Sequence, residues 1–222
     1  MSFWTYNFLP LIQGTYLKLL LLLFLFFNVV VGANEAREND YSARAFWGAS
    51  SASDLDQLYS FQGLNTSSYK TNVYGLDIGY KVLENIFDLP FDLYAKAGVS
   101  YFDENYHQDN FFEAVLCFKL IYKLNAFDNQ FRIGFAEGGS YAQSIPWTEA
   151  QEAIAEDDNQ ANFLNYLEIT FDFDIGKLIR VNSLKNLYFG YLIKHRSGFH
   201  GLYGGVFDGG SNYNSIYLEK NF

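Results

Sequence analysis

The chain is poor in the residues that staple or kink a fold. A single cysteine, Cys117, excludes an intramolecular disulfide, and 3 prolines and 1 methionine among 222 residues leave long segments free to run as unbroken strands. Basic residues are scarce too: 15 Lys and Arg stand against 25 Asp and Glu, a net charge of −10 that argues against nucleic acid, whose phosphates need a basic face. Beyond residue 33 no run approaches the ~20 apolar residues of a spanning helix, so any passage through a membrane must be made by strands. No second His or Cys lies at metal-ligand spacing from His107, which reads as a solvated loop residue; neither a metal nor a cofactor is expected.

What the chain does have is aromatic residues, 23 Phe and 18 Tyr. Strands favour them, and membrane barrels gather them in girdles at both interfaces. At the N-terminus Lys18 is followed by LLLLLFLFFNVVV and then Val31-Gly32-Ala33, the order of a secretory signal, with cleavage expected after Ala33. An uncleaved anchor helix is the alternative, since the region before Lys18 is long. Removal of residues 1–33 takes away one base and no acid, so residues 34–222 form an exported, acidic domain.

Period-two alternation runs through that domain. Residues 41–50 set Tyr41, Ala43, Ala45 and Trp47 against Ser42, Arg44 and Gly48, with Phe46 breaking the polar set. Residues 72–82 oppose Tyr74, Leu76, Ile78 and Tyr80 to Gly75, Asp77, Gly79 and Lys81. The same pattern recurs over 91–102, 110–124 and 130–140, where acidic and basic residues such as Glu113, Lys119 and Arg132 face away from the apolar set. In 162–175, Phe163, Leu167, Ile169, Phe171, Phe173 and Ile175 oppose Asn162, Glu168, Thr170, Asp172 and Asp174. Strands at 186–198 and 211–222 complete the set, the latter placing Ile216, Leu218 and Phe222 on its apolar face. About eight long antiparallel strands, an even number, predict a small transmembrane β-barrel; a secreted sandwich would alternate too, but its strands are usually shorter.

Loop lengths set the orientation. Connections 1–2, 5–6 and 7–8 are long while 2–3 and 4–5 are short, and barrels of this kind keep short turns on the periplasmic side. The first and seventh strands therefore run outward. The 143–161 loop reads either as a short helix capped at Thr148 or as a solvated acidic segment.

In the seventh strand, His195 and Ser197 share the apolar face with Leu187, Phe189, Tyr191 and Ile193. In a membrane barrel that face meets lipid, which puts an imidazole and a hydroxyl at outer-leaflet level, with Cα atoms roughly 7 Å apart. His195 could take the Ser197 proton and activate it for acyl transfer; the plainer reading is two interfacial polar residues at the edge of the apolar band.

AEGGSYAQSIPWTE at 136–149, NYLEITFDFDIGKL at 165–178, GYLIKHRSG at 190–198 and FDGGSNYN at 207–214 resemble the lipid A 3-O-deacylase family of outer-membrane barrels, and more broadly bacterial acyloxyacyl hydrolases. Family members are small eight-stranded barrels with a membrane-facing His-x-Ser-Asn site. The resemblance implies His195 as base, Ser197 as nucleophile, and lipid A or lipopolysaccharide of the outer leaflet as substrate, without metal or cofactor. This chain departs from the family twice. Gly198 stands in place of the motif's Asn, leaving the Gly198 backbone N–H or the Asn212 side chain as oxyanion donor. The family's Glu near the last strand is missing, and Asp208 is the nearest substitute; Glu137 has the right facing but sits a full strand away. A non-catalytic structural or adhesive barrel is the rival reading, and a narrow pore ranks last because about eight strands enclose room only for side chains.

Overall fold

The computed structural model describes residues 39–52, 66–207 and 209–222; the expected signal segment and Asp208 lie outside the described residues. Eight antiparallel strands close on one another in sequence order: β1 (Tyr41–Ser50), β2 (Asn72–Leu83), β3 (Phe91–Asp103), β4 (Phe111–Ala126), β5 (Asn129–Ala142), β6 (Phe163–Asp174), β7 (Leu187–Ser197) and β8 (Gly210–Asn221). Closure is made by β1 and β8, and the backbone pair Tyr41–Phe222 exchanges both hydrogen bonds at 3.0 Å just past the ladder's end. With no free edge, the strands pair with one another all around the wall, the condition for strands to cross hydrocarbon.

Polarity is inverted relative to a soluble barrel. Leu76, Ile78 and Leu116 point outward and are 61%, 66% and 70% exposed, whereas Lys119, Glu168 and Lys194 point inward and are at most 1% exposed. Outward aromatics form two belts. Trp47, Tyr74, Tyr101, Phe112, Tyr141 and Phe163 ring one end, and Tyr41, Tyr80, Phe91, Tyr122, Phe189 and Phe222 ring the other, with a band of Ala, Leu, Ile, Val and Phe between them. The connections 51–71, 104–110, 143–162 and 198–209 all leave the first end, which is therefore the extracellular one.

The interior is filled. Arg44 meets Asp77 and Glu168, Lys96 meets Asp77 and Glu219, Lys119 meets Glu168, and Arg132 meets Asp172 and Glu219, with contacts between 2.6 and 2.8 Å. Above this layer Phe46, Phe102, Phe111, Leu192 and Tyr213 form an apolar plug. Phe46, the residue that breaks the polar set of β1, belongs to it. Its ring lies over Gly75, its cross-strand partner, where an added Cβ would come within 2.0 Å of ring carbon. A gap of about 10 Å³ beside Arg44 and Cys117 holds one water at most. Among the described residues no channel supports the narrow-pore reading.

The 143–162 connection carries helix α1 (Trp147–Ala155), so the helical alternative holds, though not through Thr148. Pro146 occupies the cap position without a side-chain bond, and the Trp147 N–H, one of the orphan donors of a helix start, is taken by Glu104 Oε2 at 2.8 Å from the β3–β4 loop. Helix α1 is anchored to the outer mouth of the barrel by Glu149, which accepts from Ser211 Oγ at 3.2 Å and faces Arg196 at 3.7 Å. Burial pushes the Glu149 carboxyl above its usual range, with Arg196 pulling the other way.

Candidate active site

Strand register brings the site together from three neighbouring strands. On the outward face Asn165 of β6, Ser197 of β7 and Gly210 of β8 form one row, and Leu167, His195 and Asn212 form the next row toward the membrane centre. Both rows lie just inside the outer aromatic belt, since Asn165 is two residues below Phe163. The alternation of β7 places His195 and Ser197 on the lipid side, while Lys194 and Arg196 on the other face pair with Glu113 in the lumen.

An open groove of about 400 Å³ runs over these rows, bordered above by Glu152 of α1 and by Phe199, His200 and Phe207 of the β7–β8 loop. That loop is held in place by the acidic segment after α1. Asp158 Oδ2 accepts from the backbone N–H of Phe207 at 2.8 Å and of Gly209 at 2.9 Å, and Asn159 Nδ2 donates to the Gly205 carbonyl at 2.8 Å.

The imidazole is held by a neighbour on β8. His195 Nδ1 lies 2.7 Å from Asn212 Oδ1. An amide oxygen only accepts, so Nδ1 carries the proton and Nε2 keeps its lone pair, the tautomer a general base needs. Asn212, read from the sequence as an oxyanion donor, thus turns its acceptor end to His195, while Asp208, read as the orienting acid, lies outside the described residues. Gly198 is not part of the groove lining either; it starts the β7–β8 turn, its carbonyl accepting from Tyr203 N–H at 2.9 Å, and a Cβ there would strike the Val206 carbonyl. Ser197 lines the groove, and no hydrogen bond joins it to His195 among the described residues. Catalytic hydrogen bonds commonly tighten only when substrate is bound.

Gly210 makes the crowding tolerable. It carries no side chain beside Ser197, and a Cβ built on it would lie 3.4 Å from His195 Cε1 and 2.3 Å from the Arg196 carbonyl. Glu137 shares the His195 row but is separated from it by Leu167, as its position on β5 requires. His107 is not among the groove-lining residues; it stacks on Trp147 and lies 3.1 Å from the Tyr69 carbonyl through Nε2. Among the described residues no group of His, Cys, Asp or Glu is arranged to hold a metal ion.

The residue missed by sequence reasoning is Asn165. It has the parity of Phe163 and Leu167, yet it is a polar side chain in the middle of an apolar face. That gap in the alternation was the available signal.

No protein-family model matches this sequence, and no curated protein sequence matches it. Among solved structures the chain is similar to the outer membrane enzyme PagL, with a TM-score of 0.50 and 14% sequence identity over 82% of this chain and 99% of that one. Neisserial surface protein A (NspA) is also similar, at a TM-score of 0.46 and 13% identity over 82% of this chain and 97% of that one. At such identities the likeness is one of fold. The chain is a closed eight-stranded barrel of the outer-membrane type, and its apolar exterior and charged, sealed interior assign it to a bacterial outer membrane.

Proposed function

We propose that this protein is an outer-membrane serine esterase that removes a 3-linked acyl chain from lipid A. The observation that carries the reading is the His195–Asn212 pair: an imidazole held in the base tautomer, beside a serine, in a groove open to the outer leaflet. The pair lies on the lipid side just inside the outer aromatic belt, the level at which the head group of a membrane lipid joins its acyl chains. The sequence resemblance to the lipid A 3-O-deacylases supplies the substrate class and the 3-position.

In the reaction Ser197 Oγ attacks the ester carbonyl carbon while its proton passes to His195 Nε2. The carbonyl π pair moves to oxygen, and the tetrahedral intermediate collapses with cleavage of the bond to the sugar oxygen, which takes the proton from Nε2. Water then attacks the acyl-serine, His195 again moving the proton, and a fatty acid leaves. Asn212 holds the ring through both steps. Because Asn212 is neutral it orients the imidazole without a carboxylate's charge to stabilise the imidazolium.

The test is to express wild type, Ser197→Ala and His195→Ala in an outer membrane and weigh the lipid A by mass spectrometry. Loss of one hydroxyacyl chain in wild type alone, with all three proteins folded, is the expected result. Intact lipid A in all three strains makes this a non-catalytic barrel, and chain loss in Ser197→Ala identifies another nucleophile.

A further inference from the structure

We infer that the side-chain amide of Asn165 is the oxyanion donor of this site, supplied by β6 and not by the strand that carries the nucleophile. The inference rests on the esterase reading and adds to it a residue that the His-x-Ser motif does not contain.

Two observations carry it. Asn165 and Ser197 are direct cross-strand partners on the outward face, and both line the groove. Directly opposed residues have Cβ atoms about 5 Å apart. An amide nitrogen and a carbonyl oxygen bound near Ser Oγ can therefore meet at hydrogen-bond distance. Second, Asn165 is only 2% exposed, and its Nδ2 is buried without a hydrogen-bond partner. A buried amide left unpaired is destabilising by about 1–3 kcal/mol, and this one lies in the groove, where a bound carbonyl oxygen would satisfy it.

The layout divides the work between the two flanking strands. On the β8 side Asn212 holds the base, and Gly210 leaves the space beside Ser197 open. On the β6 side Asn165 offers an N–H where negative charge develops. When the carbonyl carbon becomes tetrahedral, its oxygen gains the charge that this N–H then meets, while the ground-state carbonyl needs it less. The contribution therefore falls on turnover and not on substrate binding.

The experiment uses the purified full-length barrel, folded in detergent, with a p-nitrophenyl acyl ester as probe and heat-modifiability on gels as the folding control. Asn165→Ala removes the amide, and Asn165→Asp keeps its shape while removing both donor hydrogens. Both are expected to lower kcat by about 100-fold or more, with KM within twofold of wild type and fluorophosphonate labelling of Ser197 retained at a reduced rate. If wild type turns over and Ser197→Ala does not, while kcat of both Asn165 variants stays within threefold of wild type, the esterase stands and Asn165 is not its donor. If wild type neither hydrolyses the probe nor is labelled at Ser197, the esterase reading itself fails and takes the inference with it.

Discussion

Arg44 of β1 and Glu168 of β6 meet across the barrel interior in a two-pronged ion pair, Nη1 to Oε1 at 2.7 Å and Nη2 to Oε2 at 2.6 Å. The strands are not neighbours, so this bond braces the wall from inside. Glu168 also takes Lys119 Nζ at 2.8 Å and the Tyr166 hydroxyl at 2.6 Å. Glu168→Ala is expected to destabilise the folded barrel by about 3–5 kcal/mol, because it leaves the buried Lys119 without a carboxylate and Arg44 with Asp77 alone. Urea unfolding of the protein in lipid vesicles measures this; a loss under 1 kcal/mol would mean that water enters the lumen and screens the cations.

The fit of Phe46 over Gly75 predicts a compensating pair. Gly75→Ala puts a methyl group into the Phe46 ring and should lower the midpoint of unfolding, while Phe46→Ala opens a cavity and should do the same. Combining the two should cost less than their sum, by an interaction of about 1 kcal/mol or more. Additive effects in the double-mutant cycle would show that the ring moves aside freely.

Asn212 can be tested by the atom it presents. Asn212→Ala removes the acceptor from His195 Nδ1 and should lower kcat on an acyl ester by at least 10-fold, since the ring loses both tautomer and orientation. Asn212→Asp keeps an acceptor at the same place and should retain or exceed wild-type turnover. Equal damage from both substitutions would place the importance of Asn212 in its amide hydrogens.

Asp158 pins the loop that borders the groove. Asp158→Ala removes the acceptor of two backbone N–H groups, and limited proteolysis of the folded protein should then cut within 199–207 several-fold faster than in wild type. An unchanged rate would mean that the other loop contacts, such as Asn159 to Gly205, suffice.

Processing at the N-terminus is a separate expectation. The protein recovered from an outer membrane should begin at Asn34, as read by intact mass. A mass that includes residues 1–33 would leave an anchor helix in its place.

The wall of this barrel was legible because its rule is local. Alternation such as Tyr74-Gly75-Leu76-Asp77-Ile78 needs only the period of a strand to say which side chains meet lipid, and Glu113, Lys119, Glu168 and Asp172 all lie in the lumen, as that parity requires. The site was half legible for the same reason. His195 and Ser197 follow from one strand's parity, but Asn165 is 32 positions from Ser197 in the chain, and nothing local says they are opposite each other. Register is decided by closure around all eight strands. Nor does composition tell which end of the Asn212 amide turns to the imidazole; that depends on Asn212 facing His195 directly across β7 and β8. The helical start at Trp147 was hidden likewise, since its supporting oxygen comes from Glu104 in another loop.

The filled interior bears on the cell as well as on the fold. Among the described residues, the centre of the barrel is cross-braced by charge and capped by packed rings, an arrangement that leaves hydrated ions, sugars and antibiotics no open route. The membrane can carry many copies of such a barrel and keep its permeability barrier whole.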